Sequence, residues 1–266
     1  MMKTIYKCFK YGKFKVLTMS YDDGKLADKR LVETFNRHGI KGTFHINGGL
    51  FGDSARINKE EIRSLYQGHE ISAHTFTHPT ISRCPISQVV QQVIEDRKVL
   101  EEIAGYTVRG MSYPNGSVSD EIMTMLPAVG IEYSRTVGSS HAFTLPENYL
   151  RWMSTCHHNH DLMGNAQKFA ELFKSQYLYM MYVWGHSYEF DNDDNWELIE
   201  EFCEFIGGRD DIWYATNIEI VDYMNALDML KFSANGDFVY NPTCTDLWLS
   251  VGGEIVTVPG GKQISL

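Results

Sequence analysis

The stretch KFKVLTMSYDDGKLADKRLVETFNRHG, residues 13–39, contains the two periodicities on which the fold depends. Its first nine residues are a short apolar, β-branched run, the pattern of a buried strand. Ala27, Leu31 and Phe35 then recur every four residues, on one face of a helix that Gly39 stops. The same unit repeats downstream. KGTFHIN (41–47) reads as a strand, NKEEIRSLYQG (58–68) as a helix opened by Asn58, and HEISAH (69–74) as a third strand. A helix over 87–105, with Ser87 as its cap and Val89, Val93, Leu100 and Ile103 on its apolar side, leads into VRGMSYP (108–114). Further strands are expected at IEYSRTV (131–137), YLYMMYVWGH (177–186) and IWYAT (212–216), with helices between them.

Seven strands alternating with helices imply parallel pairing, and this number of units closes into a barrel. The expectation is an α/β fold, a distorted (β/α)7 barrel over residues 1–231. An open doubly wound sheet is the alternative, but no Gly-x-Gly-x-x-Gly turn follows the first strand. From residue 232 to 266, Asn-Gly, Asn-Pro and Gly-Gly turns separate short alternating runs, which predicts a small β-rich appendage packed on the barrel.

The bulk numbers narrow the function. With 266 residues, 43% of them hydrophobic, the chain can bury a sizeable core. A formal net charge of -10 and the lack of any Lys/Arg cluster argue against nucleic acid or an anionic membrane as partner. Five scattered cysteines, Cys8, Cys84, Cys156, Cys203 and Cys244, favour reduced thiols over a disulfide frame. The N-terminus lacks a signal-peptide apolar run, and no stretch approaches the ~20 apolar residues of a membrane span. The expected location is cytoplasmic.

Barrel chemistry takes place at the carboxyl ends of the strands. There the sequence places Asp22-Asp23-Gly24, His74 running on to His78, Tyr113-Pro114-Asn115-Gly116 and Gly185-His186-Ser187. Each piece alone has a plain structural reading: the aspartates as a turn or helix cap, His186 as a hydrogen-bonded core residue. Their joint placement at one rim points to a site. One carboxylate and two imidazoles leave an open position for water on a divalent metal, and a second carboxylate beside them suits a general base.

These residues resemble the polysaccharide deacetylases, carbohydrate esterase family four. Met19-Ser20-Tyr21-Asp22-Asp23-Gly24 is similar to the family's Thr-Phe-Asp-Asp-Gly motif, with Ser-Tyr for Thr-Phe, and Gly68 to His78 follows its His-Ser/Thr-x-x-His motif. The resemblance implies removal of N-acetyl groups from an amino-sugar saccharide. Asp22 would then be the base, and Asp23, His74 and His78 the ligands of one divalent metal, zinc first and cobalt, nickel, manganese or iron as alternatives. The third motif keeps its turn, so Asn115 offers a backbone N–H, with Tyr113 and Pro114 against the substrate, but Ser112 stands where the family has arginine, and Arg109 is too far back to replace it. The fourth motif's Asp and Trp are not recognisable. If Leu150-Arg151-Trp152 lies near that place, Arg151 could orient a carboxylate and Trp152 could form a sugar-stacking wall, with a structural arginine and a core tryptophan as the equal alternative. Val183-Trp184-Gly185-His186 matches the last motif and makes His186 the acid.

Two other readings share the sequence: a hydrolase of small cyclic imides or ureides on the same fold, and a sugar-binding relative without catalysis. Cys156 to Asp161 is rich in potential ligands but also reads as a polar loop with a helix cap at Asp161; His45 and Asn47 read as interior residues, and Asp191 to Asp194 as a solvated loop.

Overall fold

The computed structural model describes residues 3–266. A short strand β1 (Ile5–Cys8) precedes β2 (Lys15–Asp22), helix α1 (Asp28–Arg37), β3 (Gly42–Ile46) and α2 (Lys59–Leu65). Next come β4 (Glu70–Ala73), α3 (Ile86–Ala104), β5 (Gly110–Ser112), α4 (Asp120–Met125) and β6 (Tyr133–Ser139). The segment Trp152–His157 forms β7 (Trp152–Ser154) and β8 (Cys156–His157), followed by α5 (Leu162–Glu171) and β9 (Tyr179–Gly185). Helices α6 (Tyr188–Asn192) and α7 (Trp196–Ile206), strand β10 (Ile212–Tyr214) and helix α8 (Asn217–Asp228) complete this part.

The sheet order is β7-β6-β5-β4-β3-β2-β9-β8, with every pairing parallel. Because β7 and β8 are separated only by Thr155, one extended segment pairs with β6 on one side and β9 on the other. That closes the ring at seven strands. The Thr155 N–H donates to the Tyr182 carbonyl at 2.7 Å, which carries the seam between the two short pairings. The expected (β/α)7 barrel is therefore present, but its seventh strand is not the expected one. IWYAT forms β10, which lies outside the ring against Lys15–Leu17 of β2, while β3 pairs with β2 farther along. The strand that closes the barrel is instead the segment Trp152–His157, where the sequence pattern predicts no strand.

Strand β2 is buried on both faces. Its period of two sends Leu17, Met19 and Tyr21 into the apolar layer beneath the helices and Thr18, Ser20 and Asp22 into the barrel. The interior is polar: Ser20 Oγ lies 2.8 Å from His45 Nε2, and Glu70 accepts from Tyr133 Oη at 2.6 Å and Thr43 Oγ1 at 3.0 Å. His45 is thus the interior residue expected. Helix α3 starts at Ile86 after Pro85, one residue before the expected cap, and buries Val89, Val93, Leu100 and Ile103.

The tail contributes β11 (Lys231–Phe232), β12 (Phe238–Tyr240), β13 (Leu247–Val251), β14 (Glu254–Val258) and β15 (Gln263–Ser265). β1 pairs antiparallel with β13, so the chain's first strand and its tail form one three-stranded sheet. Phe9, Trp213, Tyr223, Leu249 and Val258 are buried in one cluster that joins this sheet to the barrel. No helix is long and apolar enough to cross a membrane among the described residues.

Candidate active site

Asp22 ends β2 on its inward face, and the next residue turns out of the strand with positive φ, at 82° for Asp23 and 61° for Gly24. Such a conformation is uncommon for a residue with a side chain. Neighbours hold it: the Asp23 N–H donates to the His45 carbonyl at 2.9 Å, and Arg56 donates to the Asp23 carbonyl. The turn brings both carboxylates to the same rim, one facing inward and one at the lip.

Residues 68–82, GHEISAHTFTHPTIS, run from a strand end into a loop. β4 stops at Ala73, Thr75 and His78 take positive φ of 63° and 59°, and the His74 and His78 rings come to 4.7 Å centroid to centroid. Asp96 of α3 accepts the His74 N–H at 2.9 Å, and the Asn47 amide donates to the carbonyls of His74 and Thr75 at 2.7 and 2.9 Å. Asn47, expected to hydrogen-bond inside the barrel, braces this loop.

One ligand atom from each of Asp23, His74 and His78 lies within 4.8 Å of the others. Three further observations fit these residues to a divalent metal. Asp23 Oδ1 is buried and has no hydrogen-bond partner. His74 Nδ1 sits 3.0 Å from the Ser112 carbonyl, which places the proton on Nδ1 and leaves the Nε2 lone pair free. Burial also lowers the His74 pKa to about 4, so the ring is neutral, as a ligand must be.

Asp22, the expected base, has a partner outside the sequence expectation. Arg135, on β6 and fully buried, donates to Asp22 Oδ2, while Ser112 Oγ donates to Asp22 Oδ1 at 3.0 Å. Its guanidinium also lies over the Trp184 ring, 4.2 Å from the centroid. Burial alone would raise the Asp22 carboxyl; the charge of Arg135 overrides it and holds Asp22 well below the usual carboxylate range. Ser112 occupies the expected arginine position, and the arginine comes from the adjacent strand.

His186 follows β9 at the same rim. Its Nδ1 lies 3.2 Å from Glu189 Oε1, and its backbone N–H donates to Glu189 Oε2 at 2.9 Å. Burial pulls the imidazole down, but Glu189, with Asp22 and Asp23, raises it above the ordinary histidine value. Glu189 is the second partner absent from the sequence expectation; its spacing of three from His186 at a helix start was the available signal.

The remaining expected residues divide. Pro114, buried, opens a turn in which Asn115 takes a φ of 55°, and the Asn115 amide donates to Thr80 Oγ1 at 3.1 Å. The Tyr113 hydroxyl donates to the Leu150 carbonyl at 2.7 Å, so it ties two loops together. Trp152 is fully buried, edge-on against Tyr133, Tyr149 and Tyr182, and cannot form a wall for a sugar. Arg151 projects outward, its side chain 54% exposed and 3.6 Å from Asp120, and does not reach Asp22 or His186. The core-tryptophan alternative describes Trp152, and the carboxylate-orienting part expected of Arg151 falls to Arg135.

The profile described as Polysaccharide deacetylase matches residues 10–134. Over 122 residues, 45% of this chain and 26% of the relative, the chain is 25% identical to the peptidoglycan-N-acetylglucosamine deacetylase PgdA of Listeria monocytogenes. Over 116 residues, 42% of this chain and 53% of the relative, it is 28% identical to the chitooligosaccharide deacetylase of Sinorhizobium fredii. The chain therefore spans about a quarter and about half of these curated relatives. Among solved structures, a family 4 acetyl xylan esterase from Clostridium thermocellum in complex with a cobalt ion superposes with a TM-score of 0.52 at 15% identity, covering 78% of this chain and 90% of that one. Residues 10–134 are therefore similar in sequence to the polysaccharide deacetylases, and most of the chain shares the fold of the acetyl xylan esterase.

Proposed function

We propose that the chain is a metal-dependent hydrolase that removes N-acetyl groups from an amino-sugar-containing saccharide. The observation that carries this reading is the meeting of Asp23, His74 and His78 within 4.8 Å beside the Arg135-paired Asp22, all at strand ends of one barrel. Names of relatives that act on peptidoglycan N-acetylglucosamine and chitooligosaccharide support the substrate class.

Asp23, His74 and His78 would hold a divalent ion, for which zinc suits a two-imidazole, one-carboxylate set with an open position, and a relative's structure contains cobalt. When bound, it supplies Lewis-acid activation of water and of the amide carbonyl. Asp22, kept ionised by Arg135, takes the attacking water's proton. The backbone N–H of Asn115 donates to the oxygen that gains negative charge. His186, with its raised pKa, returns a proton to the departing amine.

The experiment is acetate release from N-acetylglucosamine oligomers by metal-stripped and zinc-reloaded protein, alongside ring opening of hydantoin. Zinc-dependent acetate release supports the reading. Hydantoin hydrolysis without acetate release would replace it with the cyclic-amide alternative, and the absence of both would leave a binding protein.

A further inference from the structure

We propose that His157 and Glu189 form a positioning triad with His186, aiming its imidazole for proton donation. The triad rests on the acid role proposed for His186 above. Glu189 contacts His186 twice, at Nδ1 and at the backbone N–H, so the ring's Nδ1 is committed and its Nε2 is the nitrogen free to serve a substrate. A carboxylate at the start of the five-residue helix α6, its side chain 24% exposed, needs a second anchor to stay aimed. His157 provides it, with Nε2 3.1 Å from Glu189 Oε2.

The tautomer of His157 decides between this and a rival reading. One ligand atom from each of His157, His158 and Glu189 lies within 4.8 Å of the others, which would suit a second metal. But the Asn159 N–H donates to His157 Nδ1 at 3.1 Å, so Nδ1 is an acceptor and the proton of the neutral ring sits on Nε2, facing the carboxylate. A protonated Nε2 has no lone pair for a metal and is a hydrogen-bond donor to Glu189. His158, stacked between Tyr21 and Phe190 at 5.7 and 4.2 Å, also brings its Nε2 to 3.2 Å from Glu189 Oε2 and is kept neutral by burial, its pKa lowered to about 3.

His157 also packs edge-on against Trp184, at 4.7 Å and 87°, and belongs to β8 in the segment that closes the ring. The closing strand thus reaches the site through Glu189. Besides Glu189, Asp22 and Asp23 act on His186 by charge, His186 acts by charge on His158, and Tyr188 packs on the His186 ring at 5.2 Å. His157 touches none of the reacting atoms in this scheme and acts only through Glu189.

Imidazole nitrogen NMR of the full chain labelled at histidine tests the triad without any substrate. The expected spectrum shows His157 with its proton on Nε2. The His186 titration should move to lower pH in Glu189→Gln and in His157→Leu, and return in His157→Gln, whose amide can donate from a similar place. A proton on Nδ1 of His157, or an unmoved His186 in folded Glu189→Gln, would overturn the inference. If the variants fail to fold, the wild-type tautomer still decides it. A His186→Gln variant with full turnover would refute the acid role while leaving the triad's geometry intact, so the two failures can be told apart.

Discussion

Asp22 is a charged group 2% exposed to solvent, and one guanidinium makes that possible. Replacing a buried partner leaves its mate desolvated and unpaired, so Arg135→Ala should cost about 3–5 kcal/mol in urea unfolding, more than an average core substitution. Arg135→Lys should recover part of the loss, because it keeps the charge but not the guanidinium's further hydrogen bonds to Ser20 and Thr136. At His186 the direction of the shift sets a pH effect. In its proposed role as acid His186 works protonated, so activity should fall as pH rises through its pKa, which Glu189 holds up. Glu189→Gln should move the alkaline limb of the pH–kcat profile to lower pH. An unmoved limb would exclude Glu189 as the group that raises it. Neither partner was legible in the sequence: Arg135 lies 113 residues from Asp22, and only folding places β6 beside the motif strands. Asp22-Asp23-Gly24 and His74-x-x-x-His78 were legible because their geometry is encoded within a few residues.

The element that decides closure is Trp152–His157. It bears no strand periodicity, since its two pairings are three and two residues long and face opposite neighbours. Sequence pattern is weakest for such short pieces, so the ring's seventh member is not legible as a strand, and the longer apolar IWYAT takes its place in the expected ring. The long units, α3 and β2 above all, were legible because burial on one face or both imposes a period over many residues. Trp152 anchors the closing strand with a fully buried indole packed against three tyrosines. Trp152→Ala should destabilise the fold by about 3–5 kcal/mol in chemical denaturation, whereas Trp152→Phe should cost less. If Trp152 instead lined the sugar site, the alanine variant would raise KM and leave stability unchanged.

In the molecule as a whole, the tail and the barrel share a core. β1 joins β13, and Tyr223 of α8 donates to the Cys8 carbonyl at 3.0 Å while its oxygen accepts the backbone N–H of Trp248 at 3.2 Å. Thermal unfolding followed by far-UV circular dichroism and by tryptophan fluorescence should therefore give one coincident transition. Separate transitions would show that the tail unfolds on its own. The texture change after residue 231 was legible as a β-rich segment, but its pairing with the chain's first strand was not, because that contact joins the two ends of the sequence. The same long-range logic assembles the site, bringing Asp22 at the end of β2 and Asp23 just beyond it together with His74 and His78 beyond β4 and His186 beyond β9. The most direct test of that convergence is metal content measured together with acetate release from N-acetylglucosamine oligomers in Asp22→Asn. The account predicts metal retained at the wild-type level, with acetate release reduced by about 10²–10⁴-fold, the usual contribution of a positioned base. Undiminished acetate release from the metal-loaded variant would contradict it.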